Sequence, residues 1–192
     1  MDTDSTFERE IRKEFFAFRN GIVADKLRRA GDPHAVIMGC LLADVMEIAN
    51  RMRALVGDEE RLAALAQNLW NDTASRECRL AAPMLFPPSM MTLDLAMEWC
   101  RGIESVEVAD NLCHKLLRNT VAACEAFGQL IDQESQLVKY TGYRLLFNLL
   151  LTGRVEPSEP LRSLVQTAAS QADALCAPLL RDIMEELDNC NA

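Results

Sequence analysis

The chain has 192 residues, 49% apolar and 26% charged, enough for a full hydrophobic core and too apolar for a chain that stays unfolded. Eight glycines and seven prolines are too few for an all-β fold rich in tight turns. Twenty Lys and Arg against 29 Asp and Glu leave a net charge of −9, which argues against a general polyanion binder but not against a local basic patch.

Apolar residues recur at helical spacing almost throughout. Ser5 is placed to cap a first helix carrying Phe7, Ile11, Phe15, Phe16 and Phe18. Asn20-Gly21 breaks it, and a second helix runs over Ile22–Arg29 towards Gly31. After the Asp32-Pro33 loop, Leu42–Ala54 carries Val45, Ile48, Ala49 and Met52 on one side. Gly57-Asp58 ends that helix and caps the next, Glu59–Trp70. Asn71-Asp72-Thr73 precedes Ser75–Leu85, which Pro87-Pro88 stops. Helices then follow over Thr92–Arg101, Val106–Arg118, Val121–Ile131, Glu134–Leu151, Pro160–Ser170 and Ala172–Leu187.

No segment of β-branched alternation reads as a strand. About eleven helices joined by short loops predict an all-α chain with helix content of about 60% or more. The expected architecture is an α-solenoid of HEAT-like antiparallel helix pairs, a single domain over residues 1–192. Stacked pairs present a concave face to partners; a plain globular helical bundle is the alternative.

Charge is uneven along the chain. Residues 1–30 carry seven basic and six acidic residues, whereas 31–120 and 121–192 each carry a net −5. Arg outnumbers Lys sixteen to four, which suits ion pairs and bidentate phosphate contacts but also follows from genome composition. Seven cysteines form no CxxC and no Cys/His cluster of zinc spacing, so no metal site and no cofactor is expected. Most lie in predicted helices beside Leu, Ala or Met, where free thiols pack as small hydrophobes in a reducing compartment. Cys190, between Asn189 and Asn191, is the expected reactive exception. The acidic opening Met-Asp-Thr-Asp-Ser-Thr does not read as a signal peptide. The longest apolar run, near Leu145–Leu151, is far short of the roughly 20 residues that span a bilayer. A soluble, cytoplasmic protein is expected, with no membrane partner.

Two stretches carry a family likeness. His34-Ala-Val-Ile-Met-Gly39-Cys-Leu-Leu-Ala-Asp-Val-Met-Glu-Ile48-Ala49-Asn-Arg51 resembles a segment of the AlkD-like DNA-alkylation-repair family. There, an apolar residue and Gly precede a short linker and a helix ending Ile-Ala-basic. Leu69-Trp70, followed by Glu77, Arg79, Leu80 and Ala81, is similar to that family's Leu-Trp…Glu-x-Arg-x-Leu-Ala signature. Arg19-Asn-Gly-Ile-Val-Ala…Leu27-Arg-Arg resembles a divergent branch of it. Helix order and spacing extend the likeness over about residues 5–190.

The resemblance implies a HEAT-like solenoid gripping duplex DNA in a basic groove. It also implies excision of N3- or N7-alkylpurines such as 3-methyladenine and 7-methylguanine. The leaving base is already cationic, so little acid catalysis is needed, and a carboxylate stabilises the developing oxocarbenium sugar. The family's active-site Trp-Asp-x-Val-Asp matches Val106-Glu-Val-Ala-Asp110 here. Asp110 thus stands for the catalytic carboxylate, Glu107 replaces the first Asp, and Val106 occupies the Trp position, losing an aromatic platform. A later Trp and Arg match Tyr140-Thr-Gly-Tyr143-Arg144: Arg144 fits the Arg, and Tyr140 or Tyr143 stands near the Trp.

Each candidate also has a plainer reading. Asp110 edges the stripe of Val106, Ala109, Cys113, Leu116 and Leu117, where a carboxylate pairs with an Arg or faces a cleft. Arg144 shares a helix face with Tyr140 and can snorkel with its head on an acid. Trp70 and Trp99 read as core, and His34 and His114 lack metal-ligand spacing. Two functions therefore stay open: a weak glycosylase on alkylated DNA, and a non-catalytic scaffold binding a protein or nucleic acid on its concave face.

Overall fold

The computed structural model describes residues 3–189, with side chains from Thr6 onward. Its α-helices are α1 (Thr3–Ala17), α2 (Gly21–Arg29), α3 (Leu42–Val56), α4 (Glu59–Asn71), α5 (Arg76–Leu85), α6 (Leu93–Arg101), α7 (Val106–Lys115), α8 (Ala123–Ile131), α9 (Gln136–Leu151), α10 (Glu159–Ser170) and α11 (Ala177–Asn189). Helix makes up 73%, and among the described residues there is no strand, only an isolated bridge from Val36 to Ser75. The all-α expectation therefore holds. None of these helices is long and apolar enough to cross a membrane.

The chain divides into two compact units, one ending at Met90 and the other starting at Met91. In the first, α3 and α4 pack on α5, and α1 packs on α3 and α4. Turn chemistry sets the boundaries. Asn20 Oδ1 accepts from the amides of Ile22 and Val23 to start α2. Gly57 closes α3 with φ +65°, and Asp58 caps α4 by accepting from Arg61 N. Ser5, expected as the first cap, lies inside α1. Thr3 and Asp4 belong to the same class of helix-starting residue, so the sequence carries no unique start signal there.

The second family stretch is a buried network. Every residue of α5 is buried, the charged ones included. Glu77 accepts from the amides of Met38 and Gly39, each at 3.0 Å, and from Arg76 Nη1 at 2.9 Å. Arg76 also donates to Cys40 O. The Arg79 guanidinium lies 3.7 Å from the Trp70 ring centroid and donates to Trp70 O at 2.6 Å. The loop seized by Glu77 requires glycine at 39. Its φ is +78°, and a Cβ there would lie 2.2 Å from Asn20 O and 2.7 Å from Ala24 N.

In the second unit α9 is the centre, packed by α7, α8 and α11, with α10 on α11 and α6 on α8. Gly142 lets α8 approach: a Cβ at 142 would meet Ile131 Cγ2 and Leu130 Cβ at 2.9 Å. Trp99 and Trp70 are both core, as expected. Two boundaries differ from the periodicity. α7 stops at Lys115, and the chain tightens into a 3₁₀ turn over Leu117–Asn119. α11 starts at Ala177 rather than 172, because Asp173 Oδ1 accepts from the amides of Leu175 and Cys176 and forms a turn instead.

The six described cysteines are free; five are buried and Cys124 is exposed. Burial pushes Cys40 and Cys100 up to about 12, and Cys78 and Cys176 up to about 11. The expected reactive Cys190 lies outside the described residues, and Cys124 is an exposed thiol that its place in an apolar helix did not announce.

Candidate functional site

Helix α7 begins at Ser105, whose hydroxyl accepts from Val108 N at 3.2 Å and fixes the first turn. Val106 and Asp110 follow one turn apart, so they stand on one side of the helix. Cys113 Sγ contacts Thr141 O of α9 at 3.3 Å, which holds the two helices together below them. Tyr140 and Arg144, also one turn apart, face Asp110 from α9.

The three polar groups close a triangle. Tyr140 Oη donates to Asp110 Oδ1 at 2.8 Å. Arg144 Nη2 donates to Tyr140 Oη at 2.9 Å. Arg144 Nε lies 2.7 Å from Asp110 Oδ1, an ion-pair contact without hydrogen-bond alignment. All contacts to the carboxylate fall on Oδ1. Oδ2 takes no hydrogen bond from the described residues, and the Asp110 side chain is 40% exposed.

Burial pushes the Tyr140 phenol up to about 12, and its bond to Asp110 adds to the rise, against the lowering bond from Arg144. Tyr140 is therefore a neutral donor near neutral pH. Burial by itself would lower Arg144, but the Tyr140 oxygen and the Asp110 charge outweigh it and raise the guanidinium above its ordinary value.

Of the sequence-predicted residues, the fold brings together Asp110, Tyr140 and Arg144. Val106 is 37% exposed at the start of α7, an aliphatic stub on the solvent side with no ring to offer. Tyr143 turns away. It is buried and lines a cleft of about 90 Å³ with Gln136, Lys139 and Cys176, near the start of α11. Phe147 is absent from the sequence-based set. The Arg144 guanidinium lies 5.6 Å from the Tyr140 ring and 5.9 Å from the Phe147 ring. The i+3 and i+7 spacing of Phe147 from Arg144 and Tyr140 is the signal that could have found it.

Elsewhere three arginines each meet two acids. Arg12 meets Glu8 and Asp72, Arg51 meets Glu14 and Glu47, and Arg162 meets Glu159 and Asp188. His34 is buried with Nδ1 2.7 Å from Asp32 Oδ1. Among the described residues no three His, Cys, Asp or Glu side chains are grouped to hold a metal ion.

No curated protein and no solved structure matches this chain. The family model described as DNA alkylation repair enzyme matches residues 11–142. That span takes in the Glu77 network, Asp110 and Tyr140, and stops two residues short of Arg144. With more than half of its length matched, the chain belongs to the DNA alkylation repair enzyme family.

Proposed function

We propose that this protein binds duplex DNA and slowly excises alkylated purines, 3-methyladenine or 7-methylguanine, with Asp110 as the working carboxylate. The observation that carries this reading is the triangle of Asp110, Tyr140 and Arg144, with Oδ2 left open to solvent. Tyr140 and Arg144 hold the carboxylate from one side, so its free oxygen points to one approach. The N-glycosidic bond breaks with its electron pair leaving on the cationic purine, which departs neutral. The sugar carries the positive charge, and Asp110 stabilises it electrostatically. A water adds its oxygen to the anomeric carbon and releases its proton to Oδ2 and then to solvent.

The helices are read as HEAT-like stacked pairs. Support comes from contacts between helices two apart in the chain, α3 with α5, α7 with α9 and α9 with α11, as successive repeats make. A cytoplasmic setting is part of the reading, and free, mostly buried thiols fit a reducing compartment.

A second reading, a non-catalytic scaffold with the fold kept and the chemistry lost, is favoured by Val106. Position 106 offers no aromatic ring to stack on a base or sugar, a contact of about 1–3 kcal/mol where it exists. One assay separates the two. Methylated duplex DNA is incubated with wild type, Asp110→Asn and Val106→Trp, and released bases are quantified. The glycosylase reading expects slow release by wild type, a loss of about 100-fold or more in Asp110→Asn, and about tenfold gain in Val106→Trp. Release equal to background in all three leaves the scaffold reading.

A further inference from the structure

The first unit carries an open groove that the candidate site does not use. Along α1, Arg9, Arg12, Lys13 and Phe16 line a cavity of about 560 Å³ together with Met38 of the loop after α2. A second cavity, of about 470 Å³, lies between the end of α1 and α2, lined by Ala17, Ala24 and Ile37 with Arg19 and Arg28. Met38 borders both, so they run together as one groove. The fold holds its floor in place. Met38 N donates to Glu77 at 3.0 Å, and Met38 O accepts from Asn20 N at 2.8 Å. The rim is held too. The Arg19 guanidinium lies 4.0 Å from the Phe16 ring centroid and donates to Phe16 O at 2.8 Å, and Arg28 donates to Ile37 O at 3.2 Å.

Two features say what fits here. Large apolar side chains stand open to water: Phe16 is 55% exposed, and Ile22, beside the groove-lining Gly21, is 84% exposed. The charged lining is five cations, Arg9, Arg12, Lys13, Arg19 and Arg28, against one acid, Glu8. Part of that charge is already met, since Arg12 pairs with Glu8 and Asp72, Lys13 with Glu10, and Arg28 with Asp25. Arg9 in the first cavity and Arg19 in the second make no ion pair among the described residues, so each cavity keeps a cation to offer. We propose that this groove docks a short acidic amphipathic segment of a partner protein, with apolar side chains over Phe16 and Met38 and carboxylates on Arg9 and Arg19. A guanidinium already held by a ring and a carbonyl keeps most of its five donors and has little rotamer freedom left to lose. A phosphate chain fits less well. It brings nothing apolar to cover Phe16 and Ile22, and Glu8, Glu10 and Asp25 repel an unbroken row of negative charge. From Arg9 to Phe16 the helix rises about 10 Å, so about two turns of a bound helix lie along the first cavity. The inference goes beyond the excision reading and does not depend on Asp110.

The test pans a random library of peptides of about 12 residues, roughly three helical turns, against the full-length protein and measures the enriched peptides by fluorescence anisotropy. Enriched sequences carry Leu, Ile or Phe at i, i+3 or i+4 spacing, with Asp or Glu between them. Arg19→Glu and Phe16→Ser, both at exposed positions, each weaken the best peptide about tenfold or more and keep the helical circular dichroism of wild type. The same peptide with its acids changed to Lys loses binding to wild type and regains it with the double variant Arg9→Glu, Arg19→Glu. Val121→Asp, at a 97% exposed residue of the second unit, binds as wild type does. Enrichment of peptides without acids, no enrichment above background, or equal binding by Arg19→Glu and Phe16→Ser overturns the groove as a protein site. So does a DNA duplex that displaces the best peptide and itself binds less well to Arg19→Glu, which would give the surface to nucleic acid. None of these outcomes changes the excision assay of Asp110→Asn, so the two readings fail separately.

Discussion

Each compact unit holds a cluster of acid, arginine and aromatic side chains, and the two clusters differ in what is left over. Around Glu77 both carboxylate oxygens are engaged, one by Met38 N and the other by Gly39 N and Arg76, and the side chain is wholly buried. Around Asp110 one oxygen takes every contact, the other takes none from the described residues, and the group is part exposed. The residue types are alike; the unspent acceptor is not. A buried charge with all its valences met is a structural device, since removing a partner leaves an uncompensated charge in a poorly polarisable interior. A carboxylate anchored on one side and open on the other is placed to act on something that arrives.

The largest effect that could break this contrast is on folding. Glu77→Gln is expected to lower unfolding free energy by about 3–5 kcal/mol, because Arg76 and the amide of Gly39 lose their counter-charge. Urea denaturation measures it, and a cost under about 1 kcal/mol would put the two clusters in the same class. Gly39→Ala follows, at about 2–4 kcal/mol, from the left-handed backbone and the collision with Asn20 O and Ala24 N. Arg79→Lys is expected to cost about 1–3 kcal/mol by the same measurement, through loss of the stacked plane over Trp70. Asp110→Asn, by contrast, should change stability by less than about 1 kcal/mol, as part-exposed ion pairs do. Should Asp110→Asn unfold the protein as readily as Glu77→Gln, Asp110 is a structural acid after all. The smallest effect concerns thiols. Cys124 should label first with a maleimide at neutral pH among the described cysteines, with Cys100 and Cys113 labelling only on unfolding. Mass spectrometry of the labelled peptides checks the order.

The helices were legible because each carries its own punctuation. Asn20, Gly57 and Asp58 act where the sequence puts them, through bonds within three or four residues. The helix start expected at Ala172 fails for an equally local reason: Asp173, inside that expected helix, instead accepts from the amides of Leu175 and Cys176 and makes a turn. At the site, the shared face of Tyr140 and Arg144 follows from spacing alone, but the choice between Tyr140 and Tyr143 does not. It depends on which flank of α9 meets α7, and that is set by packing between residues some 30 positions apart. The groove over Met38 is built by α1, α2 and the loop after α2, so no motif announces it. His34 beside Asp32 was within reach, two residues away, once the loop between them was taken as a bonded turn.

Gly142 bears on how the site could be engineered. It sits on the flank of α9 away from Asp110, yet it sets how closely α8 backs that helix. Any side chain there would act as a wedge, levering α9 outward and carrying Tyr140 and Arg144 with it. A library built to restore an aromatic platform at position 106 therefore has freedom on the solvent side of α7 and none at 142. The tolerance of this site to change is set from behind, by a residue that no substrate would touch.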